Sequence, residues 1–399
     1  MEVGKDHDLI ASANEAIHLK LVSKGDEVLE KSESFHPEFT HQLFGDNEAI
    51  FGYKDLEIKL YYGSSSLLTY FGFTYSQKID PSTSDGVKAD DIIQILSDVL
   101  PQGFYTNQDE YMRVLEKEES NFKPFGEIIN SYSLDDQTFE IRKANVDIPG
   151  FKAYHERLRT FLIWYIETAS FIDDDDEKWT FYLLYHKRKD HNAFRYDIIG
   201  YMTSYNYYAY PDKIRSRISQ IIILPPYQRN GHGAKLLESY YSLAEKDDNI
   251  LDITAEDPSE NFISLRDFVD CRRCAKLPAY SDQNLHDGFN ENMANEARKK
   301  LKIHKKQARR VYEILRLKAT DRSNAKEYLA YKSYVKKRLS QPFKKEEKDL
   351  LKLQKFLKPE EYNAAIIQAN SQDKVQLLND SYKAIEESYL SIIEKLALY

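Results

Sequence analysis

Hydrophobic positions along the chain change period several times, and the changes divide it into three parts. Between residues 56 and 76 the run LEIKLYYGSSSLLTYFGFTYS carries Tyr, Phe and Leu on both sides of a Gly-Ser cluster. That is the signature of two strands joined by a turn. GFYTNQDEYMRVLEKE, at residues 103–118, shifts to helical spacing. In the middle third, YHERLRTFLIWYIETASFI (154–172) reads as one long buried helix, and WTFYLLYHK (179–187) and IIGYMTSYNYYAY (198–210) read as strands. ILDITAED (250–257) predicts another strand, with a helix opening at Pro258. Beyond about residue 273 the apolar residues keep helical spacing through ARRVYEILRL, KEYLAYKSYVKKRL and SYKAIEESYLSIIEKLAL. The expected fold is therefore α+β. A mixed-sheet core flanked by helices (residues 116–272) lies between a β-rich N-terminal domain (1–115) and a helical C-terminal extension (273–399).

Composition narrows the function classes. The chain has 399 residues, 42% hydrophobic and 30% charged, which is enough apolar material for two or three packed domains. No apolar run approaches the roughly 18 residues that a bilayer span needs, and no signal-peptide pattern is expected at the N-terminus. Two cysteines, Cys271 and Cys274, exclude a disulfide framework, and a single C-x-x-C pair cannot complete a zinc site, so no metal is expected. The net charge of −9 hides a segment, residues 298–355, holding 21 Lys+Arg against 6 Asp+Glu. An acidic body suits a cationic partner. The basic segment lacks the aromatic interleaving of a strand-stacking surface, so direct nucleic-acid binding is not expected.

One stretch carries specific chemistry. In ISQIIILPPYQRNGHGAKLLESYY, the apolar run Ile221, Ile222, Ile223, Leu224 reads as a buried strand, Pro225-Pro226 ends it, and a helix follows from Ala234. Between them stands Gln228-Arg229-Asn230-Gly231-His232-Gly233-Ala234. A glycine-bearing turn opening a helix offers free N–H groups and a positive dipole end, hence a phosphate site. It is not a P-loop, since the Lys-Ser/Thr ending is missing, nor a dinucleotide fingerprint, since Leu236 stands where a third glycine would be. Gln/Arg-x-x-Gly-x-Gly/Ala after a proline-broken strand resembles the pyrophosphate turn of the GNAT acyl-CoA-dependent N-acetyltransferases. That resemblance implies acetyl-CoA as co-substrate. Gly231 and Gly233 are expected to let the backbone approach the phosphate closely.

Acetylating an amine requires a base, because a free lysine ammonium has a pKa of roughly 10.4. Glu256 stands at the end of a strand with no capping duty, which suits a general base. Asp257-Pro258-Ser259-Glu260 reads as N-cap, N1 proline and capping-box glutamate, so Asp257 is mainly structural. Glu167, the lone charge in FLIWYIETASFI, is expected to be costly to bury unless it is paired with Arg157 or Arg159 or takes part in the proton transfer. The acidic run from Asp173 to Glu177 reads as a solvated loop. Tyr205 to Tyr210 is either core packing or a channel gripping a lysine's methylene stem.

HQLFGDNEAIFGYK, AYHERL, YIETASFID, GYMTSYNYYAYPDK, LDITAEDPS, LRDFV, GFNENMA and ARRVYEILRL together resemble the type B histone acetyltransferase catalytic subunits in their animal form. The resemblance runs from about Ser34 to the C-terminal helices. It implies acetyl transfer to lysines in the N-terminal tail of newly made core histone four (with its histone three partner), a WD-repeat histone-binding β-propeller subunit, and residence in cytoplasm and nucleus. Carried across, Glu256 is the base, with Glu167 and Asp257 supporting. Acetyl-CoA contacts fall on Ile221, Ile222, Ile223, on Gln228 to Ala234 and on Ser259. Histone-tail contacts fall on Asp46, Asn47, Glu48, Trp179, Tyr205, Asn206 and Tyr207. Two other readings remain at this level: a GNAT enzyme of small polyamines, and a histone-binding scaffold without catalysis.

Overall fold

A computed structural model describes residues 9–23, 33–84, 86–173, 175–190, 193–353 and 374–398, with residues 356, 358, 360 and 361. Asp174 of the acidic run and Lys355 of the basic segment lie outside the described residues. The chain divides into two compact units, Met1–Tyr207 with Arg217–Tyr240, and Tyr208–Ser216 with Tyr241–Tyr399.

The first unit opens with β1 (Ile10–Ser12), α1 (Ala13–Ala16), β2 (Ile17–Val22), α2 (His41–Phe44), β3 (Ala49–Phe51), β4 (Tyr53–Lys54), β5 (Glu57–Gly63), β6 (Thr69–Thr74), β7 (Gln77–Lys78), α3 (Ile92–Ser97) and α4 (Gln108–Asn121). β5 and β6 are the two strands expected around the Gly-Ser turn. They pair antiparallel, and β2 joins β5 in parallel. Ser64, Ser65 and Ser66 close that turn around the buried carboxylate of Glu119 on α4, which accepts the N–H groups of Ser65 and Ser66.

The same unit continues with β8 (Glu127–Leu134), β9 (Gln137–Ala144), α5 (Phe151–Leu158), α6 (Thr160–Tyr165), β10 (Trp179–Asp190), β11 (Ala193–Ala209), most of β12 (Lys213–Ile223) and the start of α7 (His232–Ala244). Strand order is β8-β9-β10-β11-β12, and β8 to β11 run antiparallel. The single long helix expected over residues 154–172 is two short ones. The chain turns at Arg159 and leaves helical geometry at Ile166 (φ −124°). Tyr62, Phe151, Phe161, Trp164, Phe181 and Tyr201 fill one core shared by the sheets and α5–α6.

The second unit holds β13 (Ile250–Ala255), α8 (Glu260–Cys274), α9 (Asp282–His286), α10 (Glu291–Leu301), α11 (Lys305–Ala319), α12 (Ala325–Leu339), α13 (Gln341–Leu353) and α14 (Lys374–Ala397). β13 lies beside the opening residues of β12. The Ile214 N–H donates to Asn249, and Arg215 grips Asp252 through two bonds of 2.5 and 2.9 Å. Glu313, fully buried on α11, accepts two bonds from Arg338 of α12 and one from the Tyr389 hydroxyl of α14, tying three helices together. No described helix is long and apolar enough to cross a membrane.

Candidate active site

A β-bulge sets up the glycine turn. Leu184 of β10 pairs with Gly200 and Tyr185 with Ile198, so Ile199 is the extra residue of β11. Its carbonyl accepts the Leu224 N–H at 2.8 Å and fixes the end of β12 just before Pro225. Gly200 is required there: a Cβ would lie 2.6 Å from the Ile222 carbonyl oxygen and 2.7 Å from Ile223 Cδ1. Ile222 is buried in the core, whereas Ile221 and Ile223 are half-buried, so the run is not buried on both faces as its composition suggested.

Pro225–Tyr227 form one 3-10 turn, and the Gln228 side chain folds back to donate to the Ile223 carbonyl at 2.8 Å. Arg229 (φ 65°) and Gly231 (φ 83°) adopt left-handed geometry. Gly231 meets open space where a Cβ would go, so its need is conformational; Gly233 keeps ordinary helical φ. The first bond of α7 runs from the Lys235 N–H to Gly231, which leaves the N–H groups of His232, Gly233 and Ala234 without intrahelical acceptors. Three such donors at the positive end of a 13-residue helix suit a pyrophosphate, so the turn fits acetyl-CoA.

The His232 ring faces inward. It is buried against Phe139, shares a 2.8 Å hydrogen bond with the Tyr132 hydroxyl, and burial lowers its pKa, so the ring is engaged away from the turn. Tyr132, on β8, escaped the sequence reading because a residue 100 positions away gives no local signal.

Glu167 is exposed rather than buried, on the turn after α6, and makes no ion pair with Arg157, Arg159 or any other described residue. The burial expected for it fails because α6 ends two residues earlier. Its segment is held by two glutamines. Gln42 of α2 donates to the Ala169 carbonyl and Gln220 of β12 to the Ser170 carbonyl, each at 2.9 Å.

Asp46 and Asn47 are exposed at the turn after α2. Glu48 instead works as a brace. Its carboxylate accepts the Thr40 and His41 N–H groups and the Asn14 amide, and the Thr40 bond leads the causes that hold its pKa down.

Trp179, Tyr205 and Tyr207 form a line on β10 and β11. Trp179 and Tyr205 pair across the strands with ring centroids 4.8 Å apart, and Tyr205 and Tyr207 are 4.6 Å apart. Arg217 lies 4.6 Å above the Tyr207 ring. Tyr205 donates to Asp176 at 2.7 Å, so the acidic run contributes at least one anchored carboxylate. Asn206, between the two tyrosines, is half-buried, and its N–H donates to the Lys178 carbonyl.

In the second unit Glu256 is exposed at the end of β13. Asp257 has φ 29° and does not cap the next helix. Ser259 does, accepting the Phe262 N–H at 3.3 Å, so α8 begins at Glu260. The expected cap lay two residues too early because Asp-Pro-Ser offers two competent caps. Cys271 and Cys274 are buried on α8, where desolvation pushes both thiols up. No group of three or more metal-ligating side chains occurs among the described residues.

Three family models match in sequence order. The N-terminus of histone acetyl transferase HAT1 matches residues 9–167, the acetyltransferase (GNAT) family residues 151–267, and the C-terminal part of the histone acetyltransferase type B catalytic subunit residues 266–317. The human histone acetyltransferase type B catalytic subunit is 46% identical over 392 residues, 97% of this chain and 93% of the human one. The Cryptococcus neoformans protein of that name is 32% identical over 83% of this chain and 88% of its own length. One from Dictyostelium discoideum is 32% identical over 83% of this chain and 76% of its own. With a GNAT family match over residues 151–267 and relatives matched along most of its length, the chain belongs to the histone acetyltransferase type B catalytic subunit family, enzymes of GNAT fold.

Proposed function

We propose that the chain transfers the acetyl group of acetyl-CoA to the ε-amine of lysines in the N-terminal tail of newly made core histone four, acting in cytoplasm and nucleus with a WD-repeat histone-binding subunit. The observation that carries the reading is the set of open N–H groups at the start of α7, in a chain aligned over 97% of its length with a histone acetyltransferase. Bound acetyl-CoA supplies the reactive thioester. Gly231 and the N–H groups of His232 to Ala234 hold its pyrophosphate, and the edge of Ile221–Ile223 orients the pantetheine arm.

A lysine ammonium is almost wholly protonated at neutral pH. Glu256 removes its proton, directly or through one water, and the neutral amine attacks the thioester carbon. Backbone N–H groups near the end of β12 hold the charge that grows on the carbonyl oxygen. Trp179, Tyr205 and Tyr207 sheath the methylene stem, Asp46 and Asn47 meet polar groups of the tail, and Glu167 and Asp257 support the base. Cys271 and Cys274, buried and protonated, are unsuited to carry the acetyl group, which favours direct transfer in a ternary complex.

The test is the initial rate of labelled acetyl transfer to histone four across pH, for wild type and Glu256→Gln. The variant is expected to lose at least tenfold in rate, a modest share of what a general base contributes, while still binding acetyl-CoA. Equal rates would move the base elsewhere. Full competition by spermine would favour a polyamine substrate, and histone binding without transfer by wild type would favour a scaffold.

A further inference from the structure

The turn that carries Glu167 is held against its own backbone preference. Thr168 sits at φ 54°, a left-handed position that a β-branched side chain rarely takes. Strain of this kind persists only where the surroundings over-determine the backbone. Just before the turn, the chain is stitched to the segment ahead of α2. The Trp164 carbonyl accepts the N–H groups of Glu38 and Phe39, and the Tyr165 hydroxyl donates to the His36 carbonyl at 2.8 Å. Just after it come the two glutamine bonds, Gln42 to Ala169 and Gln220 to Ser170.

Gln220 is the more telling of the pair. It is 7% exposed within β12, where an aliphatic side chain would pack without burying an amide. The Thr203 hydroxyl of β11 accepts its backbone N–H at 3.2 Å and lies 3.5 Å from its side-chain oxygen, which leaves the amide nitrogen to Ser170. The arginines nearest Glu167 in sequence are engaged elsewhere. Arg157 donates to the Ser66 carbonyl, and Arg159 lies 4.3 Å over the Phe171 ring. The result is an exposed carboxylate, with no ion pair to a described residue, on a turn fixed from both sides.

The two anchors are not arbitrary places. Gln42 belongs to α2, just ahead of Asp46, and Gln220 directly precedes Ile221. The turn is thus tied to the two elements read as meeting the tail and the acyl carrier. We propose that Gln42 and Gln220 are positioning residues for Glu167. Their bonds keep residues 166–170 in the left-handed turn, so that the carboxylate meets the substrate amine from a fixed place. This rests on the reading of Glu167 as a group that supports the base. A small displacement of such a group costs far more rate than stability.

The experiment is steady-state kinetics of the full chain with acetyl-CoA and a histone-four tail peptide. The variants are Gln42→Ala, Gln220→Leu, Glu167→Gln, and each glutamine change combined with Glu167→Gln. Each glutamine variant is expected to lower kcat about fivefold with the KM for acetyl-CoA unchanged. Glu167→Gln should lower kcat about tenfold. In that background, removing either glutamine should cost less than about twofold, because the group it positions is already gone. Equal fold-losses in both backgrounds overturn the proposal, since the glutamines then serve the fold alone. Wild-type kcat in both glutamine variants overturns it as well. Gln42 is exposed, so its variant keeps the test open should Gln220→Leu fail to fold. If Glu167→Gln itself runs at the wild-type rate, the supporting role of Glu167 falls, and this inference falls with it.

Discussion

At the scale of single residues, the first unit keeps two imidazoles neutral beside the glycine turn. His186 stacks on Phe139 at 4.7 Å, and burial, aided by Arg188, lowers its pKa to about 4. An unfolded histidine takes its proton near pH 6.5, whereas the folded one resists until about pH 4. Its contribution to stability is therefore complete above 6.5. It is lost as pH falls through that window, at up to about 1.4 kcal/mol per pH unit. His186→Gln should flatten the pH dependence of the urea unfolding free energy between pH 6.5 and 4.5 relative to wild type. An unchanged slope would show that this ring stays protonatable in the fold. None of this is visible in the sequence, since YLLYHKRK places His186 among aromatic and basic residues without disclosing that Phe139 lies under it. Glu256 and Asp257 were legible as types, because a carboxylate pair at a strand end before proline is a local pattern. The exchange of the cap from Asp257 to Ser259 was not, because it depends on one backbone angle.

Among the elements, the strand and helix types were legible wherever one period ran uninterrupted, as in β5–β6, α4, β10, β11 and α11. What the pattern hid were breaks within continuous apolar runs. FLIWYI stays hydrophobic across the end of α6, so composition alone carried the helix past Tyr165 and buried Glu167. The bulge at Ile199 is equally silent, because IIGYM looks like any strand with a glycine. Yet that bulge and Gly200 decide where β12 stops and the glycine turn begins. Gly200→Ala should cost about 1–3 kcal/mol through the clash with Ile222 and Ile223, and displace the end of β12. Acetyl-CoA affinity, measured by titration, is expected to fall several-fold. A variant as stable and as tight-binding as wild type would refute the bulge's role in placing the turn.

On the scale of the whole molecule, the two units are stabilised by different means. The first is an aromatic and aliphatic core under sheets, with Trp164, Phe161 and Tyr62 at its centre. The second is a set of helices whose buried polar groups are paired across elements, Glu313 with Arg338 and Tyr389, and Asp267 with Arg310 and Gln307. Removing one partner of a buried ion pair strands the other. Glu313→Ala should therefore cost about 3 kcal/mol in the second unit, read as an earlier loss of helical signal in urea. Each unit's transition is analysed separately, since a chain of two units need not unfold in one step. The core of the first unit joins residues from Ala13 to Leu224, because long-range packing ignores boundaries drawn from local composition. The chain's two tryptophans, Trp164 and Trp179, both fall in the first unit. Nature has thus labelled one half with fluorophores and left the other dark. Indole emission follows the first unit, far-ultraviolet ellipticity is weighted to the helices, and Trp179, half-exposed against Tyr205, adds a solvent-touched emitter to the buried one at Trp164.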